Sequence, residues 1–78
     1  NPEMIWGIEV AIIYENKKRD RMYWFLWKKY KTQRAMLQGL SDRRKHGNIG
    51  CRSSSDGGKT WDQSYFIYRP VHVYYKLQ

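Results

Sequence analysis

Five consecutive positions, Tyr23 to Trp27, hold four large aromatics and a leucine, and no amphipathic helix buries such a run on one side. A pleated strand does accommodate it. Alternation then sends Met22, Trp24 and Leu26 to one face and Tyr23, Phe25 and Trp27 to the other, so neither face suits plain water. The run reads as a central strand. Met22, Trp24 and Leu26 are expected beneath a helix, and the opposite face is expected to meet either the rest of the chain or a partner.

The remaining elements follow from periodicity and punctuation. Met4 to Tyr14 is rich in β-branched residues and predicts a strand, with Met4, Trp6, Ile8, Val10, Ile12 and Tyr14 on its better core face. Gly7 suggests a bulge or a close approach. The polar segment Glu15–Arg21 makes a hairpin turn into the aromatic strand. Thr32 can cap a helix ending near His46, with Met36, Leu37 and Leu40 on its buried stripe, Gly39 approaching the sheet, and Gly47 as the stop. Asn48 to Ser53 predicts a third strand and Thr60 to Tyr68 a fourth. Pro70 breaks that run or marks an edge, leaving Val71 to Leu77 as a last short strand.

With 78 residues there is room for a single domain, residues 1–78, with a limited core. The expected fold class is α+β: an antiparallel sheet of four to five strands with one helix on one face, in ββαββ order. The lone Cys51 cannot form an internal disulfide, and no apolar run is long enough to span a membrane. A soluble, cytoplasmic chain with no membrane partner is the resulting expectation.

Between Ser54 and Trp61 the chain reads Ser-Ser-Asp-Gly-Gly-Lys-Thr-Trp. This resembles the Asp box, Ser-x-Asp-x-Gly-x-Thr-Trp, of sialidase hairpins, and every defined position matches. The resemblance implies a structural hairpin distant from any catalytic centre. Ser54 and Asp56 can accept bonds from turn amides, Gly58 can take positive φ, and Trp61 can pack beneath the turn. The match spans eight residues, and a chain this short cannot form a propeller of repeated blades.

The charge is concentrated. Residues 15–45 hold eleven of the fifteen Lys and Arg but three of the seven acids, so this stretch carries the whole net charge of +8 and the remainder is neutral. An anionic partner follows, most often nucleic acid, DNA or RNA. Lys17, Lys18, Arg19 and Arg21 sit at the hairpin tip, with Lys28, Lys29, Lys31 and Arg34 further along; all eight are candidates to meet phosphates. Trp27 and Tyr30, beside the lysines, are candidates for base stacking, though both are equally suited to a core. Arg43, Arg44, Lys45 and His46 are adequately explained by the helix dipole. The alternative is a small regulator or inhibitor that docks an aromatic sheet face on an acidic protein or on a second copy of itself.

Catalytic signals are thin, and the chain is expected not to be an enzyme. Glu9, Arg69 and His72 could perform the acid–base work of a metal-independent ribonuclease only if the fold brought them to one sheet face. One cysteine and two distant histidines show no metal-ligand spacing, and Gly57-Gly58-Lys59 lacks the frame of a phosphate-binding loop. No cofactor is expected.

Overall fold

The computed structural model describes residues 2–16 and 22–76. Its elements run β1 (Pro2–Tyr14), β2 (Phe25–Tyr30), α1 (Gln33–Lys45), β3 (Ile49–Ser53) and β4 (Asp62–Lys76). The strands form one antiparallel sheet in the order β2-β1-β4-β3, with α1 on one face. This is an α+β fold in the expected element order. Among the described residues, no helix is long and apolar enough to cross a membrane.

The long β1–β4 pair forms the middle of the sheet. Its register is unbroken from Pro2 opposite Lys76 to Tyr14 opposite Ser64. Even-numbered residues of both strands therefore share one face and odd-numbered residues the other. On the even face, Ile8 packs with Met36 and Leu40 of the helix, flanked by Trp6, Tyr30 and Tyr68. Ile8 is fully buried. The core side expected of β1 is the observed one.

Helix α1 is set by local chemistry. The Thr32 hydroxyl accepts from the Ala35 amide at 3.1 Å, and Gly47 stops the helix at φ 82°. Met36 and Leu40 are buried as expected, whereas Leu37 is exposed. Gly39 rides against Tyr30: a Cβ built there would lie 2.2 Å from the tyrosine hydroxyl. No larger residue permits that approach.

Two expectations about strands are corrected. The aromatic run is not central, because β2 lies at the outer edge of the sheet, and its strand begins only at Phe25. Nor do Leu26 and Trp24 lie beneath the helix. A register shift between Ile8 and Glu9 inserts one extra residue into β2, so alternation reverses there. Leu26 pairs with Glu9 and would touch a Cβ on Gly7, on the face away from α1, while Trp24 lies under the Arg69 guanidinium, 4.0 Å from ring centroid to carbon.

The separate last strand from Val71 is the second expectation corrected: Pro70 does not break the run but takes its other expected role and marks an edge. It sits inside the fifteen-residue β4, opposite Ile8. The reason lies in strand order. The Phe66 amide donates to the Asn48 carbonyl at 2.7 Å, which shows that even-numbered amides of β4 point away from β1. Pro70 shares that parity, and β3 pairs with β4 only from Asp62 to Tyr65, so the donor that proline lacks would face no strand among the described residues.

Near its paired end, β4 is tied to β3 through Ser64 rather than by a regular ladder. The buried Ser64 hydroxyl accepts from the Cys51 amide at 2.9 Å and donates to the Cys51 carbonyl at 3.1 Å. These bonds bridge the register shift between Ile49 and Arg52. Gly50 makes room for them, since a Cβ there would lie 2.4 Å from the same hydroxyl.

The Ser54–Trp61 segment connects β3 to the antiparallel β4 and is the expected hairpin turn. The Ser54 hydroxyl accepts from the Gly58 amide at 2.8 Å, and an Asp56 carboxylate oxygen accepts from the Thr60 amide at 2.9 Å. Gly57 and Gly58 both adopt positive φ, and half-exposed Trp61 lies 3.8 Å from where a Gly58 Cβ would be. Bonds from the Thr60 hydroxyl, then the Thr60 amide and the Ser54 hydroxyl, hold the Asp56 carboxyl at a pKa of about 2.

That depression has a readable consequence. A carboxyl whose folded pKa lies below its unfolded value orders the turn fully above pH ~4 and loses that contribution as pH falls through the folded value. The Thr60 amide resonance is therefore expected to titrate with a midpoint near pH 2. Asp56→Asn should abolish the step. A midpoint at the ordinary aspartate value would show that the carboxylate does not accept these bonds.

Candidate nucleic-acid interface

The extra residue in β2 that reverses its alternation also builds the most concentrated cation–aromatic cluster of the described residues. It turns Trp27 to the helix side, where the indole meets the Tyr68 ring edge-on, 5.5 Å between centroids and 61° between planes. Arg43, in the last turn of α1, lies against both rings. Its Nε donates to the Tyr68 hydroxyl at 2.7 Å, and its guanidinium carbon lies 5.2 Å from the Tyr68 centroid and 5.9 Å from that of Trp27. The guanidinium is held by a hydrogen bond and two rings, so little side-chain freedom remains to be lost on binding.

Around this clamp the surface stays open. Trp27 is 45% exposed and Phe25, paired with Val10 at the start of β2, is 62% exposed. Beside Tyr68 lies a shallow recess of about 290 Å³ lined by Arg44, Gly47, Asn48, Phe66 and Tyr68. Lys28, opposite Ile8 and hence on the same side, stands 5.5 Å over the Tyr30 ring. Rings for stacking and cations for phosphates are thus present on one surface.

The residues expected at the interface do not all gather there. Lys28 and Lys29 go to opposite faces, because Lys29 pairs with Gly7 and lies 4.6 Å over the Tyr75 ring on the side away from the helix. Lys31 and Arg34 are exposed at the start of α1, and Arg34 is about 14 Å along the helix axis from Arg43 at 1.5 Å per residue. Tyr30 flanks the core cluster and is pressed against Gly39, so it is packed rather than offered to a base. Lys17, Lys18, Arg19 and Arg21 lie outside the described residues.

Arg43 and Tyr68 were not among the expected site residues, yet a signal for Arg43 was present. Positions 36, 40 and 43 follow the i, i+4, i+7 spacing of one helix stripe, so Arg43 continues the apolar line of Met36 and Leu40. A cation on that line must find partners on the sheet. Nothing local in the sequence nominates Tyr68, which is brought close only by β1–β4 pairing.

The three residues considered for ribonuclease chemistry are separated. Arg69 and Glu9 pair across the odd face, with Nη2 to Oε1 at 2.7 Å and Nε to Oε1 at 2.8 Å. His72 is on the even face, stacked on Trp6 at 3.6 Å between centroids and 10° between planes. The sheet lies between them. No cluster of three His, Cys, Asp or Glu side chains that could hold a metal occurs among the described residues. Comparison with family models, with curated proteins and with solved structures finds no match to this chain.

Proposed function

We propose that this protein binds nucleic acid through the surface built on Trp27, Arg43 and Tyr68. The observation that carries the reading is the Arg43 guanidinium held against the Trp27 and Tyr68 rings, bordered by the exposed faces of Phe25 and Trp27. In this reading, bases stack on Trp27 and Phe25 while Arg44, Lys45 and Lys28 meet phosphates. Lys17, Lys18, Arg19 and Arg21 belong to the same charged block of the sequence and add to its attraction for phosphates. Lys31 and Arg34, at the far end of α1, add to the long-range field that steers an anionic strand inward.

The test is a titration of labelled oligonucleotides, single-stranded and duplex, at two salt concentrations. Affinity is expected to fall steeply with salt, with a log–log slope of about 0.7–0.9 per phosphate neutralised. Trp27→Ala, which removes a half-exposed ring, should weaken single-strand binding by about 1–3 kcal/mol. The absence of binding at low salt would sink the proposal. Undiminished binding by Trp27→Ala would remove stacking and leave phosphate contacts alone.

A further inference from the structure

A second surface is defined by backbone groups rather than side chains. β3 pairs with β4 only at Asp62–Tyr65, and one further bond reaches Phe66 from Asn48. Beyond that, the amides of Tyr68, His72 and Tyr74 share the outward parity of Phe66, and no strand lies beside them among the described residues. Tyr74 is 71% exposed and Val73 36%. At this end β2 stops opposite Trp6, so Pro2–Ile5 and Val73–Lys76 form a two-stranded ribbon with no third strand beside it among the described residues, a structure of marginal stability in water.

The other edge of the sheet is defended. β2 is six residues long, is broken by its bulge, and carries Lys28 and Lys29, the devices that blunt an edge against pairing. On β4 the comparable device is Pro70, and it protects only its own position. From Val71 to Lys76 the edge runs regular, with no bulge against β1.

We infer that a second copy of this chain pairs antiparallel with β4 along Val71–Lys76, about a two-fold axis at Val73, joining two four-stranded sheets into one. The same edge supplies donors and acceptors to both partners, as an isologous contact requires. With the axis at Val73, His72 and the second copy's Tyr74 have outward-facing backbone groups and form hydrogen-bonded pairs, while Val73 meets its own copy in a close non-hydrogen-bonded pair. Val71 falls opposite Tyr75 and His72 opposite Tyr74, combinations that favour cross-strand contact. Positions 71–75 carry no Lys or Arg, so a chain of net charge +8 places no two cations face to face along them.

This inference does not depend on nucleic-acid binding, and its test is made without nucleic acid. A seam this short buries less than a standard interface, so the dimer should be weak and concentration-dependent in sedimentation. The decisive variant is Tyr74→Pro. It removes an outward amide only, as Pro70 does naturally, and leaves the β1–β4 ladder intact. Loss of the dimer with an unchanged melting temperature is the expected result. A wild-type chain that stays monomeric at all concentrations, or a Tyr74→Pro dimer as strong as wild type, would overturn the inference. Should Tyr74→Pro unfold the protein, Val73→Cys in a Cys51→Ser background gives a second reading. Opposed Cα atoms at about 4.5 Å in a non-hydrogen-bonded pair are within disulfide range, so oxidation should yield a covalent dimer; no cross-link would overturn the two-fold pairing.

Discussion

Ile8→Ala is expected to destabilise the fold by about 2–5 kcal/mol, the largest loss for truncation of any aliphatic side chain among the described residues. Ile8 has no exposed surface and joins the helix residues Met36 and Leu40 to the central strand pair. Its truncation leaves a cavity where helix meets sheet, and few other buried side chains are present to compensate. A domain of this length holds roughly 4–12 kcal/mol in total, at about 0.05–0.15 kcal/mol per residue. The loss therefore takes a large share of all stability. Urea unfolding of Ile8→Ala beside Ile12→Ala, a half-buried residue on the same face of β1, checks it. Equal, small losses in both would mean that α1 does not seat on Ile8.

Gly39→Leu is expected to cost about 2–3 kcal/mol through overpacking, since any Cβ at that position meets the hydroxyl, ring carbon and ring edge of Tyr30 at 2.2, 2.7 and 3.2 Å. Gly39→Ala should cost less, because alanine recovers about 1 kcal/mol of helix propensity relative to glycine. Tyr30→Phe removes the nearest atom. Combined with Gly39→Ala it should return part of the loss, and the double-mutant cycle measures how much. If Gly39→Ala is stabilising on its own, the helix has room to move off the sheet and the close approach is not a constraint.

These two positions also show what the sequence could and could not disclose. The core face of β1 is legible because Met4 to Tyr14 can alternate without interruption, and the cap, stop and close-approach glycine of α1 are local chemistry. The Ser54–Trp61 turn was legible for the same reason: its bonds join residues at most four apart. What escaped was phase. One extra residue in β2 reverses alternation, which moved Trp27 to the helix side and Leu26 away from it, and no residue in the run marks the place. Of the two roles open to Pro70, breaking the run or marking an edge, only the fold selects the second, because whether a missing donor matters depends on which strand lies on that side. Arg43 was passed over because the helix dipole already accounted for it. Its second role needed Tyr68, twenty-five residues away and reached only through the sheet.

The pairing of β1 with β4 also decides the order of events when the chain folds. Residues 2–14 take residues 62–76 as their principal partner, so the central ladder closes a loop that includes every other element. Before β4 has left the ribosome, β1 can pair only with β2, and one whole edge of an apolar strand waits unsatisfied. Helix α1 can form early from its own cap, but the surface it must cover is only half assembled. Folding is therefore late and nearly all-or-none, with a rate governed by closure of distant segments rather than by local propensity.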